Sequence, residues 1–195
     1  MDPLQVAEEP REQATGLRAN VTRAEALDAF SEAGTAGMYR RARIGRLRQV
    51  AEAHVPFGVY RVSYEDGRRI RTRLLAMEQV AGLMDLYEFD EEPREEGLAA
   101  VRTRNILEAR LGEREAEERL REKVLRLIFQ RGFFRAGLPR MQMERVRRAV
   151  YVPYWLGFYG EDGGLRCRAM DAVRRRMEGA KATELFEGWL REGAV

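Results

Sequence analysis

The chain has 195 residues, 45% hydrophobic and 34% charged, with 35 basic against 32 acidic side chains and a net charge of +3. That length buries one substantial core or two small ones, and near-cancelling charge with plentiful aliphatic and aromatic residues excludes a disordered, solvating chain. One cysteine excludes an internal disulfide and a thiolate zinc cluster, and it fits a reducing, cytoplasmic compartment.

Residues 1–21 carry Pro3, Pro10 and scattered glutamates, and are expected to form a loose arm or a short edge strand. The start, Met1-Asp2-Pro3-Leu4, lacks the basic residues and apolar run of a secretion signal. Thr22-Arg23-Ala24-Glu25 fits a capping box. It predicts a helix with Ala26, Leu27 and Phe30 as the buried stripe and Gly34 as the stop. Ala42 and Ile44 then alternate with Arg41 and Arg43, and the parity shifts beyond Gly45, where Arg46 and Arg48 flank Leu47. A bulge at Gly45 keeps all four arginines on one face. Pro56 opens a strand through Phe57, Val59, Tyr60 and Val62, Glu65-Asp66-Gly67 turns it, and Arg69 to Leu75 returns. Val80 to Phe89 offers a further strand.

Residues 88–97 hold six acids and one arginine, with Pro93 and Gly97 as breakers, and mark a boundary. Ala99 to Ile106 is strand-like. Glu113 to Arg131 reads as a helix with Ala116, Leu120, Val124, Leu127 and Ile128 at helical spacing, ended by Gly132. The aromatic run Tyr151 to Tyr159 reads as a central strand buried on both faces, or, if exposed, as a docking edge. Ala149 to Gly160, the longest apolar stretch, is too short to span a bilayer. Arg174 to Arg191 predicts a last helix carrying Met177, Leu185, Phe186, Trp189 and Leu190. Its acids Glu178, Glu184, Glu187 and Glu192 would be repelled by anionic lipid.

The chain also echoes itself. His54-Val55-Pro56-Phe57 returns as Tyr151-Val152-Pro153-Tyr154, Glu65-Asp66-Gly67 as Glu161-Asp162-Gly163, and Ala76-Met77-Glu78 as Ala169-Met170-Asp171, at offsets of 97, 96 and 93. Gly34 precedes Pro56 by 22 residues and Gly132 precedes Pro153 by 21. The expected fold is α+β: two tandem pseudo-repeated helix-plus-antiparallel-sheet units with an extra C-terminal helix. The boundaries are an arm at 1–21, a first unit at 22–89, an acidic linker and connector at 90–112, and a second unit with the C-terminal helix at 113–195.

Residue chemistry points away from catalysis. Cys167 aligns with the apolar Leu74 and reads as a small buried hydrophobe. His54, the only histidine, aligns with Tyr151, and one histidine without clustered ligands makes a poor metal site. Ser31 and Ser63 lack a nucleophile-elbow context. Gly157, Gly160, Gly163 and Gly164 do not form a phosphate loop. Glu78 and Asp171 occupy matching positions after the two hairpins. They are either backbone acceptors at strand ends or an acid pair meeting across a twofold axis. Basic residues are 33 arginines against Lys123 and Lys181, a bias expected from a GC-rich genome or from a need for planar donors.

The order of helix, strand, Pro-initiated aromatic strand and returning strand ending near an acid distantly resembles the PepSY-type modules. The resemblance spans both units and implies a regulatory or binding domain. The Asp-x-x-x-Gly ending of such strands falls on Asp171 and Arg175, without the glycine, and on Glu78 and Gly82.

The functional expectation is a noncatalytic binding or scaffolding protein that holds a protein partner or a second copy through its sheet faces or the cleft between units. Tyr154, Trp155, Arg71, Arg73, Arg166 and Arg168 are the contact candidates. The alternative is nucleic-acid binding through Arg41, Arg43, Arg46, Arg48 and Arg69 with aromatic stacking. Third comes an enzyme using Glu78 and Asp171. No cofactor, metal or membrane is expected.

Overall fold

The computed structural model describes residues 14–31, 44–66, 69–130, 140–160 and 166–192. In chain order these form β1 (Thr15–Leu17), α1 (Arg23–Ser31), β2 (Leu47–Asp66), β3 (Arg69–Glu78), β4 (Tyr87–Phe89), β5 (Leu98–Ala100), α2 (Glu113–Gln130), β6 (Met141–Tyr159), β7 (Arg166–Asp171), β8 (Arg176–Met177) and α3 (Ala180–Glu192). The protein is mixed α/β, with three helices among the described residues and one large, mostly antiparallel sheet. Its strand order is β4-β3-β2-β6-β1-β5, with β7 and β8 added beside β6. Both halves of the chain therefore share a single sheet.

The centre of that sheet is the antiparallel pair β2 and β6, with His54 opposite Pro153, Val55 opposite Val152 and Pro56 opposite Tyr151. Two prolines in central strands need explaining, because proline donates nothing to a ladder. The carbonyl of Pro56 accepts from Gln79 N at 2.8 Å, and that of Pro153 from Ala172 N at 3.1 Å. Each proline thus turns its hydrogen-bonding edge away from the β2–β6 seam, where a missing N–H breaks no seam bond. The sequence predicts one strand ending before Pro56 and another beginning there. The structure runs straight through, as a single strand of 20 residues.

Successive side chains of β2 face opposite sides of the sheet. Val50, Tyr60, Val62 and Tyr64 pack toward α1 and α2, while Ala53, Val55, Phe57 and Val59 pack toward α3. Helix α2 presents Ala116, Leu120, Val124 and Ile128, a strict four-residue stripe, to Tyr60, Val62, Leu75 and Met77. At about 1.5–3 kcal/mol for each large apolar side chain removed from water, this stripe anchors the helix. Leu127, expected in the stripe, is 37% exposed. Helix α1 crosses instead to the second half of the chain. Its Phe30 and Ala26 pack with Trp155, Tyr159, Met170 and Ala172, and Tyr159 Oη donates to Phe30 O at 2.9 Å. The predicted capping box is present, with Thr22 N donating to Glu25 Oε2 at 2.8 Å and Glu25 N to Thr22 Oγ1 at 3.3 Å. Leu27 faces solvent, 47% exposed.

Other expectations shift. β1 is an inner strand between β6 and β5 rather than an edge. The bulge expected at Gly45 falls between Leu47 and Gln49, and Gly45 precedes the strand with φ 86°. Val80 to Phe89 yields only the three residues of β4, and Ala99 to Ile106 yields the last residues of β5 and a single bridge from Ile106 to His54. The C-terminal helix starts at Ala180, because residues 172–175 turn and β8 pairs back on β7 first. Gly34, Gly67, Gly132 and residues 161–165, with the predicted turns and helix stops they carry, lie outside the described residues.

The Phe30 ring lies against the backbone of Gly157, where an added Cβ would meet ring carbons at 2.8 Å. Gly157→Ala should therefore cost about 1–3 kcal/mol in a denaturant titration, as over-packing does in a filled core. Gly112→Ala, which meets nothing within 4 Å, should change stability by roughly 0.5 kcal/mol or less. Equal effects of the two would contradict the packing of α1 on this half of the sheet.

Candidate functional site

β3 and β7 each end on a fully buried carboxylate. Glu78 Oε1 accepts from Val80 N and Ala81 N, both at 2.5 Å, and its Oε2 accepts from Leu83 N at 2.9 Å. Asp171 Oδ1 accepts from Val173 N and Arg174 N at 2.8 and 2.7 Å, and its Oδ2 accepts from the Tyr87 hydroxyl. Four residues beyond each acid the backbone turns left-handed, with φ 62° at Gly82 and 56° at Arg175. A non-glycine pays strain there. The Arg175 guanidinium is held in return by Asn20 O at 2.8 Å and Glu25 Oε1 at 2.5 Å.

These acids do not meet. Glu78 pairs with Phe57 on the outer side of β2, and Asp171 with Tyr154 on the outer side of β6. Three strand spacings, about 14 Å, separate them, which rules out a shared proton or cation. The paired-acid site expected as a third possibility is corrected on that geometry.

A cleft of about 320 Å³ opens instead over the β2–β6 seam, where β1 and β5 leave a gap. Its floor is His54 and Pro153, Glu52 stands beside them, and Arg18 and Arg102 reach in from the ends of β1 and β5. The segment Asn105 to Leu107 fixes the floor: His54 N donates to Asn105 O at 2.8 Å, and Leu107 N donates to His54 O at 2.9 Å. His54 Nε2 lies 3.8 Å from Glu52 Oε1, and its buried Nδ1 has no hydrogen-bond partner. Burial lowers the imidazole to about 4, so it is neutral at pH 7. Burial also raises the Glu52 carboxyl. Arg18 and Arg102 are exposed and have no hydrogen-bond or ion-pair partner among the described residues.

The predicted contact residues are scattered. Tyr154 and Trp155 are buried, Tyr154 against Phe186 and Trp155 with its Nε1 donating to Val21 O, so neither offers a docking surface. Arg73 is half-buried and pairs with Glu88. Arg168 is half-buried with a buried, unpartnered Nη1. Arg71 and Arg166 are exposed on the helix-covered face, at the distal ends of different hairpins. Arg46, Arg48 and Arg69 are exposed, and Arg41 and Arg43 lie outside the described residues. A register shift falls between Leu47 and Gln49, next to Arg48.

Cys167 is buried, and burial followed by the Glu187 charge pushes its thiol up to about 12, so no thiolate nucleophile exists near neutrality. No group of three or more His, Cys, Asp or Glu able to hold a metal occurs among the described residues. No described helix is long and apolar enough to cross a membrane. No protein-family model matches this chain, and no curated protein or solved structure gives a match either. Arg18, Arg102 and Glu52 escaped the sequence reading because they carry no motif and meet only when β1 enters the sheet beside β6.

The buried neutral His54 has a stability consequence. Its pKa is about 4 folded and about 6.5 unfolded. Between those values the unfolded chain binds more protons, so stability is full above pH 6.5 and falls as pH drops toward 4. The loss should be on the order of 2–3 kcal/mol. His54→Phe should remove this acid limb in denaturant titrations at pH 7, 6 and 5. Parallel pH profiles for the two proteins would contradict a buried, neutral imidazole.

Proposed function

We propose that this chain is a noncatalytic, cytoplasmic binding protein, built from two copies of one helix-plus-hairpin unit, that holds an acidic group of a protein partner in the cleft on the seam. The carrying observation is the cleft's makeup: Arg18 and Arg102, two guanidinium groups without a hydrogen-bond or ion-pair partner among the described residues, stand over the neutral His54 and Pro153, with Glu52 the one acid in the lining. A carboxylate or phosphate entering there meets planar donors in a recess. Helices α1 and α2 pack on one face of the sheet and α3 on the other. The reactive side chains support the noncatalytic part, since both hairpin-end acids are taken up by backbone amides and the one thiol is protonated.

The duplication is supported by equivalences that recur at the offsets read in the sequence. Pro56 and Pro153 accept from Gln79 and Ala172. Glu78 and Asp171 cap the next two amides and precede left-handed residues by four. The chain ahead of α1 bridges in parallel to Tyr151, and the chain ahead of α2 bridges in parallel to His54. Each helix then packs on the hairpin of the other unit. The cleft therefore sits where the two copies meet.

Affinity capture followed by a charge reversal tests the reading. A partner retained by the native chain should be lost on Arg18→Glu/Arg102→Glu, while stability changes by no more than about 0.5 kcal/mol per exposed site. Undiminished retention would overturn it. Retention of an oligonucleotide that weakens steeply with salt, and that ignores this double variant, would favour the exposed Arg46, Arg48 and Arg69 instead.

A further inference from the structure

A second cleft, of about 410 Å³, lies between the C-terminal half of α2, the start of α3 and the segment leading into β4. Three of the chain's 35 basic residues line it, and they include both of its lysines, Lys123 and Lys181, together with Arg126. Everywhere else the protein uses arginine. Charge alone does not explain this, because arginine carries the same charge and binds anions through more donors. What lysine adds is an amine that can give up its proton and act as a nucleophile, which a guanidinium cannot do.

The geometry at Lys123 suits that use. Its Nζ donates to Met84 O at 2.7 Å and to Leu83 O at 3.3 Å. A neutral amine has two N–H groups, so these two carbonyls satisfy both and leave the lone pair for the cleft. Lys181 is held by Asp85 Oδ1 at 2.7 Å, and Glu88 is taken up by Arg73. Arg126 is exposed and has no hydrogen-bond or ion-pair partner among the described residues. Leu75, Leu86 and Leu127 supply apolar walls. Burial, then the Lys181 charge and lastly that of Arg126, lower Lys123 below the ordinary lysine range, with Asp85 and Glu78 opposing.

We propose that this cleft captures a small aldehyde or ketone bearing an acidic group, as an imine on Lys123, with Arg126 and Lys181 holding the acid. The Lys123 nitrogen attacks the carbonyl carbon and the C–O bond of the resulting carbinolamine breaks. The carbonyl oxygen leaves as water, carrying one hydrogen from the amine and one proton from solvent. The iminium keeps one N–H, for the nearer acceptor, Met84 O. Hydrolysis reverses each step, so no oxidant or reductant is consumed. This capture is independent of the reading of the cleft at His54.

Glyoxylate with sodium cyanoborohydride traps such an iminium as a carboxymethyl amine, which peptide mass spectrometry locates. On the native chain at pH 7, Lys123 should be modified several-fold faster than Lys181, since burial lowers the Lys123 amine whereas Lys181 is held in an ion pair by Asp85. Arg126→Gln should slow modification of Lys123 by glyoxylate several-fold, as expected for a lost anion contact, and leave its modification by acetaldehyde unchanged. Lys123→Arg should remove the fast-trapping site and leave only the slower modification at Lys181. Modification of Lys123 no faster than Lys181 would overturn the proposal, and so would an Arg126→Gln effect equal for both aldehydes. The first comparison uses the unmutated protein, so it does not depend on any variant folding.

Discussion

The pairing of β2 with β6 is the constraint on which the remaining structure hangs. Both strands are long enough to carry a hairpin partner on one half and a different neighbour on the other, and each turns its proline edge outward. Because the seam runs through the middle of both strands, β3 attaches on one side of it and β7 on the other. Three apolar clusters then form, one on the α3 side and two on the side of α1 and α2. A slip of one residue along the seam would exchange the faces of every side chain on a strand and expose all three clusters. Burial on both faces thus fixes the register more firmly than the ladder hydrogen bonds do.

Chemistry is concentrated in two places, and the seam creates the first of them. Beside His54 and Pro153 the sheet is completed by short strands from distant parts of the chain, and their imperfect closure leaves the arginine-flanked recess. The lysine cleft arises differently. Glu78 folds residues 80–83 into a tight turn by accepting three amides, and the carbonyls of Leu83 and Met84 that follow point at Lys123 on α2. Arg119 reinforces this contact by donating to Ala81 O at 2.5 Å. On the other hairpin Asp171 is tied to Tyr87, whose ring lies 3.3 Å beneath the Arg174 guanidinium carbon. A buried acid organises a turn in each case. The first turn feeds a cleft, whereas the second is locked to β4.

Much of the local structure was legible in the sequence, and most of the tertiary structure was not. The capping box at Thr22 and Glu25, the stripe from Ala116 to Ile128 and the hairpin strands follow from patterns that local physics enforces. The uninterrupted run of β2 through Pro56 was hidden, because proline ordinarily marks a strand boundary and only the outward-facing edge excuses it here. The exposure of Leu27 and Leu127 was hidden too, since helical spacing identifies a face without fixing its width. Arg175 concealed a turn that glycine would have announced. The candidate site was the least legible part. Tyr154 and Trp155 drew attention as aromatics and proved to be core, whereas Arg18 and Arg102 lie in unremarkable sequence and acquire meaning only from the strand order β6-β1-β5.

The seam can be read directly by nuclear magnetic resonance. The outward edges of His54, Pro56 and Pro153 make His54–Pro153 and Pro56–Tyr151 non-hydrogen-bonded pairs, in which opposed α carbons approach to about 4.5 Å. Strong Hα–Hα cross-peaks are therefore expected between His54 and Pro153 and between Pro56 and Tyr151. Cross-peaks displaced by one or more residues, or none between the two strands, would contradict the architecture described here.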